Sequence, residues 1–369
     1  MTRETWLEAA LLPPDVRRTI WSAVGRALFD WPGTLDDLLV ASQPSMDTVR
    51  RTALTERSRG RARAARGRAP MPGVVDIVAN EPAYPPWLLT IPDPPFMLWA
   101  RGLLDVLSTV SVAVVGSRAG LPASLAVARE LGRDLAGCGL AVVSGLARGV
   151  DSAAHQGALE SSGGVTVAVF GAGLDRVYPP EHRGLADAIA ERGVLLSEHP
   201  PGTPPKPEHF PLRNRIISGL SVATVVVEAS DRSGSLTTAR CALDQGRDVM
   251  VVPGSVAGGR NRGGHALLRD GAALVESAAD VIDALPFALR DRCRARGSHQ
   301  LDLRPSDDVP AADGVLGALQ GGEPSDLDAL VSRTGLGASA LLARLAELEL
   351  QGRVVRDDLG RFLRSNRKC

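Results

Sequence analysis

The stretch Val112–Arg118 (VAVVGSR) places four consecutive apolar residues directly before glycine, serine and arginine. Five more short apolar runs follow along the chain: Leu140–Val143, Val165–Phe170, Val194–Leu196, Ala223–Val227 and Val249–Val252. The segments between them include three with helical periodicity: Ser124–Ala136, Ser152–Leu159 and Ser235–Gln245. Apolar strands that alternate with helices are typical of a parallel sheet covered on both faces. We therefore predict an α/β fold, an extended Rossmann-like doubly wound sheet.

Further domains are predicted on both sides of this sheet, as expected for 369 residues at roughly 150 residues per domain. The N-terminal region has apolar residues at helical spacing and predicts a small helical domain. The C-terminal region predicts helices at Val315–Leu319, Asp326–Val331 and Ser339–Gln351 and then a β-hairpin from Arg353 to Arg364, the order of a winged helix-turn-helix. The predicted segments are a helical domain at 1–70, the Rossmann-like domain at 71–290, a linker at 291–310 and a winged-helix domain at 311–369.

Positive and negative charges balance in the chain, with 42 Lys and Arg against 42 Asp and Glu. Net neutrality excludes a uniformly basic coat but leaves local clusters of cations open. The four cysteines form no CxxC pair, which argues against a zinc site or a disulfide scaffold. No window reaches the ~20 apolar residues that span a bilayer, and the N-terminus lacks a signal pattern. We expect a cytoplasmic protein without membrane contact, metal or cofactor.

Small and polar residues follow five of the predicted strands. Gly116-Ser117-Arg118 follows the first, and segments beginning at Ser144, Gly171, Ser230 and Pro253 follow others. Because the carboxyl ends of parallel strands meet at one edge of the sheet, we expect these residues to lie together. Glycine permits close approach of backbone amides, serine donates hydrogen bonds, and arginine pairs with phosphate oxygens. The pattern predicts an anion-binding surface, although each glycine alone also suits a tight turn.

The segment from Lys206 to Arg215 (KPEHFPLRNR) has cations on both sides of an aromatic residue. Single-stranded nucleic acid needs both, since its phosphates attract cations and its unstacked bases stack on rings. Phe210 is therefore a candidate for base stacking, with a core anchor as the alternative. For Arg213 and Arg215, the alternative is pairing with an acid such as Glu198.

Enzymatic chemistry has weaker support in the sequence. The GAGLDR segment at 171–176 has arginine in the third glycine position of a dinucleotide fingerprint, and no P-loop sequence is present. Asp151 and His155 are four residues apart, which suits a capping Asp and a structural His as well as acid–base catalysis. A nucleotide or phosphoribosyl hydrolase that uses Glu228 and Asp151 is the alternative function. A winged-helix regulator of duplex promoters is a third one.

Several motifs in fixed order resemble one known family. They are VAVVGSR from Val112, SGLARGVDSAAHQGA from Ser144, FPLRNRIISGL from Phe210 and VEASDRSGSLTTA from Val227. This set closely resembles the DNA-processing protein DprA family, also called Smf. Members of that family carry the same extended Rossmann core, with an N-terminal helical SAM-like domain and a C-terminal winged helix in some of them.

The resemblance implies a binding protein that is not an enzyme. DprA proteins bind single-stranded DNA, form homodimers and load the RecA recombinase onto incoming strands in natural transformation and recombination. In the family, the positive pocket of the Rossmann domain holds the strand, and Arg118 matches a DNA-contacting position. The predicted DNA-binding residues are Gly116, Ser117, Arg118, Ser144, Gly145, Arg148, Lys206, Phe210, Arg213, Asn214, Arg215, Ser233, Gly234 and Ser235.

Two basic segments stay open to more than one interpretation. Residues Arg50–Arg68 contain eight arginines and one acid, Glu56, which suits either a solvated helix face or an auxiliary phosphate-binding strip. In the winged helix, the predicted recognition helix has Arg344 but also Glu347 and Glu349. Such a helix favours a protein contact over the major groove, whereas the basic tail leaves weak duplex binding open.

Overall fold

The structure is a computed structural model of the chain. It describes residues 1–68, 71–290, 314–319, 325–337, 341–342, 344–345, 348–349, 354–356 and 361–364. The chain divides into two compact units, Met1–Gln300 and Leu301–Cys369. None of the helices in the described ranges is long and apolar enough to cross a membrane. The predicted linker at 291–310 lies outside the described residues.

The first unit is built on a nine-stranded sheet, within the described residues, in the order β1-β2-β6-β5-β4-β3-β7-β8-β9. All six strands that the apolar runs predict are present, and they pair in parallel. Two antiparallel strands, β1 and β2, extend the sheet on one side and were not predicted. The strands are β1 (Val74–Val78), β2 (Met97–Gly102), β3 (Ser111–Gly116), β4 (Ala141–Ser144), β5 (Thr166–Phe170), β6 (Val194–Ser197), β7 (Ala223–Val227), β8 (Asp248–Val252) and β9 (Ala273–Leu274).

Alternate residues of β3 pack into two separate cores, one on each face of the sheet. Val112 and Val114 belong to one core, and Ala113 and Val115 belong to the other. Side chains alternate between the faces of a strand, so a strand that is apolar throughout is buried on both. The sheet is therefore covered on both faces, as the sequence predicts. The helices of this domain are α5 (Pro122–Gly137), α6 (Val150–Glu160), α7 (Arg183–Arg192), α8 (His209–Leu220), α9 (Ser235–Asp244), α10 (Arg262–Arg269) and α11 (Ala278–Ala284).

The order of the strands reverses at β3. The chain runs outward from β3 through β4 and β5 to β6 and then returns by α8 to β7, on the other side of β3. Gly116 at the end of β3 lies beside Val227 at the end of β7. Ligands of open α/β sheets bind outside the carboxyl ends of the strands at such a reversal.

The N-terminal helices pack directly on the sheet domain. They are α1 (Arg3–Ala10), α2 (Pro14–Val24), α3 (Leu35–Ser42) and α4 (Thr48–Arg66). The rings of Trp6 and Trp21 lie 5.8 and 5.2 Å from that of Phe96, which precedes β2. All three side chains are buried in one continuous core. The helical region and the sheet therefore form one compact unit, and the core is continuous between the two predicted domains.

The second unit contains the elements of the predicted winged helix. Helices Gly314–Ala318 and Leu327–Thr334 are followed by an antiparallel pair, β10 (Val354–Arg356) and β11 (Phe362–Arg364). The predicted hairpin is confirmed, while its turn at 357–360 lies outside the described residues. Of the predicted helix Ser339–Gln351, only some residues are described, and Leu341, Leu345 and Leu348 among them are buried. The tail residues Arg367 and Lys368 also lie outside the described part.

Candidate nucleic-acid interface

A cavity of about 420 Å³ opens at the reversal of the strand order. Its walls come from the loop after β3, the loop after β7, the start of α9 and one face of α8. We call it the switch-point pocket. Eight of the fourteen predicted residues line it: Gly116, Ser117, Arg118, Arg213, Asn214, Ser233, Gly234 and Ser235.

The smallness of Gly116 is required by the sheet itself. A Cβ on this residue would lie 1.9 Å from the carbonyl oxygen of Val227 and 2.7 Å from a methyl group of Val150. The glycine lets β3 and β7 end side by side under the loop that carries Ser117 and Arg118. Its role is therefore to place the pocket, and the following residues supply the polar groups.

Hydroxyl groups and a helix start line another part of the pocket. The Ser233 and Ser235 hydroxyls are hydrogen-bonded to each other at 2.7 Å. Helix α9 begins at Ser235, and its first amides already have acceptors: the Ser235 amide donates to the Ser233 hydroxyl at 3.4 Å and the Leu236 amide to the Ser233 carbonyl oxygen at 3.2 Å. The start of a helix carries partial positive charge from its aligned peptide dipoles. The serine hydroxyls of this wall can donate hydrogen bonds to an anion.

Arg118 lies over an aromatic pair at the rim of the pocket. Its guanidinium carbon is 5.7 Å from the centre of the Phe210 ring, and the Tyr178 ring lies 5.5 Å from Phe210 at 47°. Arg118 is exposed, Tyr178 is 45% exposed and Phe210 is half-buried. Among the described residues, Arg118 has no ion pair. An exposed cation beside rings that are at least partly exposed is the combination that a phosphate with an unstacked base requires.

Arg213 is the least accessible of the predicted contacts that carry a positive charge. It is 4% exposed and donates hydrogen bonds to the carbonyl oxygens of Gly145 and Val169. Burial lowers the pKa of Arg213 to about 10. Burial also raises the pKa of Asp151, whose carboxylate accepts hydrogen bonds from the Gly145 and Ala147 amides. Arg213 therefore lines the pocket with one guanidinium nitrogen bound to protein carbonyl oxygens, and its DNA contact stays a prediction.

Arg215 lies on the opposite side of the same helix and does not line the pocket. Its guanidinium pairs with Glu198 at 2.7 Å and with Asp93 at 3.0 Å. Arg17 of α2 pairs with the same Glu198. Burial alone would raise the pKa of Glu198, but Arg17 and Arg215 hold it at about 2. The alternative in which Arg215 pairs with Glu198 is therefore observed, and a DNA contact by Arg215 stays a prediction.

Helix α8 explains why the predicted basic segment does not act as one strip. Phe210, Arg213, Asn214 and Ile217 recur at the spacing of one helix face, and the last three line the pocket. Arg215 is two residues from Arg213, about 200° around the axis. Lys206 precedes the helix and lines a different groove.

Three more predicted residues lie beside the pocket and not in its wall. The Ser144 hydroxyl is buried and donates to the carbonyl oxygen of Val114. Gly145 lies against Arg213, whose Nη1 would be 2.2 Å from a Cβ at this position. Arg148 is exposed and pairs with Glu181 at 2.5 Å.

The carboxylates of the hydrolase alternative already have partners within the protein. Glu228 accepts hydrogen bonds from the Leu121 amide at 2.9 Å, the Ser124 hydroxyl at 2.5 Å and Arg260 at 3.2 Å. It does not line the pocket. His155 is fully buried, with Nδ1 2.7 Å from the Thr166 hydroxyl, and burial lowers its pKa to about 3.

Comparison with known proteins supports the resemblance seen in the motifs. Residues 76–286 match the profile of the family described as DNA recombination-mediator protein A, and residues 301–358 match the DprA winged helix domain. Protein Smf of Escherichia coli is 39% identical over 302 residues, which are 79% of this chain and 78% of the relative. The chain belongs to the DprA (Smf) family.

Solved structures of DprA agree with this assignment. DprA from Streptococcus pneumoniae is 35% identical, with a TM-score of 0.67, over 78% of this chain and 99% of that one. DprA from Helicobacter pylori is 29% identical, with a TM-score of 0.53, over 59% of this chain and 96% of that one. The Helicobacter pylori protein is described as having a unique single-stranded DNA binding mode.

In this DprA-family chain, four polar residues of the pocket lie outside the predicted DNA-binding set, although Ser230 begins one of the segments expected at this edge: Asp151, Ser230, Arg232 and Thr238. Arg232 is exposed and lies in the loop after β7, directly before Ser233. Only Gly116 and Ser117 separate Arg118 from its apolar strand run, whereas four residues separate Arg232 from Val227, so closeness to a strand end did not point to Arg232. The sequence feature that could have pointed to Arg232 is the Ser-Gly-Ser segment that follows it directly.

Proposed function

We propose that this DprA-family protein binds single-stranded DNA in the switch-point pocket. The observation that carries the proposal is Arg118 lying over Phe210, in a pocket that is also lined by serine hydroxyls at the start of a helix. The guanidinium of Arg118 pairs with a phosphate, and the serines and amides bind its other oxygens. The Phe210 ring stacks on an adjacent base.

The geometry favours a single strand over a duplex. Bases in a duplex are stacked on one another, so their faces are closed to an exposed ring, whereas unstacked bases gain about 1–3 kcal/mol each on an aromatic side chain. Every base has such a face, so binding tolerates different sequences. The contacts from Gly116–Arg118 and Ser233–Ser235 reach the backbone, which also carries no sequence information.

The contacting set of the proposal differs from the sequence prediction. Gly116, Ser117, Arg118, Asn214, Ser233, Gly234 and Ser235 remain in it, together with Phe210 at the rim, and Arg232 joins them. Arg213 and Arg215 leave it because their guanidiniums bind protein acceptors. The proposed role is binding without bond cleavage, since Glu228 and His155 are occupied in structural contacts.

Within the cell we propose a mediator role in the cytoplasm. The protein, as a homodimer, holds and protects incoming or processed strands and loads RecA on them in transformation and recombination. The family description as a recombination mediator supports this role. A test is RecA filament formation on single strands coated with single-strand-binding protein. We expect faster filament growth with the wild-type chain than with the Arg118→Ala variant, and equal rates would contradict the loading role.

The binding proposal is tested by a gel-shift comparison of single-stranded and duplex DNA of equal length. We expect single-strand preference and a clear loss of affinity in Arg118→Ala. Arg26→Ala is the matched control, because Arg26 is also exposed but lies in the helical region. Absence of single-strand binding, or equal affinities in the two variants, would refute the proposal.

A further inference from the structure

A second cavity of about 490 Å³ lies between the helical region and the segment before α8. We call it the interdomain groove. Its lining is mainly apolar and includes Leu11, Leu12 and Leu212. Arg61 of α4 and Lys206 also line it, one from the helical region and one from the segment before α8. Both cations are exposed, and neither has an ion pair among the described residues.

The acidic residues of this groove leave a positive balance. Glu198 is neutralised by Arg17 and Arg215, so Glu208 is its one remaining acid among the described lining residues. An apolar floor with excess cations at its rim suits a ligand that has flat apolar faces and anionic groups. Nucleotides combine both.

The groove also contains stacked rings. His199 and His209 lie with ring centres 4.2 Å apart at 27°, and both line the groove. Burial lowers the pKa of His199 to about 4, so this ring is neutral near pH 7. Histidine is among the side chains on which unstacked bases stack. Rings between cations repeat here the combination found at Arg118 and Phe210.

This groove begins one turn from the switch-point pocket. The His209 amide donates to the carbonyl oxygen of Lys206 at 3.0 Å, and Phe210 is the next residue. His209 thus faces the groove, while its neighbour Phe210 faces Arg118. A strand that stacks on Phe210 therefore reaches Lys206 without leaving the surface.

Beyond the groove, α4 continues the positive surface. Arg50, Arg57 and Arg61 recur at spacings of seven and four, which keeps them within about 40° of one another around the helix. Their stripe spans about 16 Å along the axis, at 1.5 Å per residue. All three are exposed, and none has an ion pair among the described residues. The arginines that do pair are on other faces: Arg51, Arg59 and Arg66.

We propose that the interdomain groove and the α4 stripe (Arg50, Arg57 and Arg61) form a second section of the single-strand track, which binds the strand where it leaves Phe210. This inference rests on the proposed function of the switch-point pocket. Short strands fill the pocket alone, and longer strands also occupy the groove and the stripe. The helical region is thus a nucleic-acid-binding element that lengthens the site.

The test compares oligothymidylates of about 6 and about 30 nucleotides, the first near the lower end of the site sizes of single-strand-binding folds and the second well above their upper end. The variant Arg50→Gln/Arg57→Gln removes two stripe cations that have no ion pair among the described residues. Arg26→Gln/Arg63→Gln is the matched control, with the same charge change at exposed positions off the stripe. Fluorescence anisotropy gives the affinities, and a melting curve verifies that each variant is folded.

Each phosphate contact of a single strand contributes about 0.7 to the slope of log affinity against log salt concentration. Loss of one such contact therefore lowers the affinity about fivefold at 0.1 M salt. We expect the stripe variant to lose about 25-fold in affinity for the long strand, with its salt slope lower by about 1.4, and to bind the short strand like the wild type. Equal long-strand affinities in the stripe and control variants, or an equal loss on both lengths, would overturn the inference. Such a result would leave the proposed function of the switch-point pocket in place, as long as the wild type binds the short strand and Arg118→Ala lowers that affinity. Failure of the wild type to bind either length would overturn both.

Discussion

Replacement of Phe210 by alanine tests whether its ring stacks on a base. The ring is half-buried, lies 5.5 Å from Tyr178, and has Arg118 5.7 Å above its centre. Loss of one stacked base costs about 1–3 kcal/mol, and the exposed cation–π contact with Arg118 is worth about 0.5–1 kcal/mol. At 1.4 kcal/mol per tenfold change, stacking alone predicts a fall in affinity of about 5- to 140-fold.

The assay is anisotropy titration of a short oligothymidylate at several salt concentrations. Phe210→Ala removes no charge, so its binding curves should shift while the slope of log affinity against log salt stays that of the wild type. Arg118→Ala should lower that slope by about 0.7, since it removes one phosphate contact. Phe210→Trp keeps a ring and should retain most of the affinity.

Two results would refute this reasoning. The first is Phe210→Ala binding within twofold of the wild type while Arg118→Ala binds weakly, which would mean that the ring only anchors α8. The second is a change in the salt slope of Phe210→Ala, which would mean that the ring acts by positioning the Arg118 guanidinium.

Three further predictions concern stability and the neighbouring charges. Gly116→Ala should lower the free energy of unfolding by about 1–3 kcal/mol or more, because its Cβ would lie 1.9 Å from a carbonyl oxygen; an unchanged urea midpoint would contradict this. Glu198 has a pKa of about 2 in the folded protein, below its unfolded value near 4.3, so it contributes about 3 kcal/mol above pH 4.3 that is lost as the pH falls towards 2. Glu198→Gln should therefore flatten the fall in stability in acid, and a parallel profile would contradict the ion-pair role. Arg148→Ala should weaken single-strand binding less than Arg118→Ala in the same titration, because the Arg148 guanidinium is already paired; equal losses would argue against this order.

The parallel sheet could be predicted because its strands are apolar on both faces. The runs around Val112 and Val225 have no charged residue to confuse their assignment, and both are fully buried. The antiparallel strands β1 and β2 escaped prediction. Their segments mix polar with apolar residues, for instance Asp76 in β1 and Arg101 in β2. Such strands are defined by their pairing more than by local composition.

The site was predicted less completely than the fold, and α8 is the reason. The prolines at 207 and 211 made the basic segment resemble a loop. The helix nevertheless begins at His209, so Pro211 lies in its first turn, where a missing amide leaves no hydrogen bond unmade. Residue spacing alone could not show that Arg213 and Arg215 would point to opposite sides and bind protein acceptors. That outcome depends on Gly145 and Glu198, which are distant in the sequence.

Arg213 and Arg215 of α8, which both bind protein acceptors, also fix the length of that segment. A single residue inserted between Asn214 and Arg215 would rotate the following turn by about 100° and move it by 1.5 Å. The guanidinium of Arg215 would then leave Glu198 and Asp93, which it now reaches at 2.7 and 3.0 Å. Insertions and deletions should therefore be rejected between 210 and 217, whereas the exposed residues just before the helix should accept them. Among homologous chains, the spacing from Phe210 to Arg215 should vary less than the identities of the exposed side chains around it.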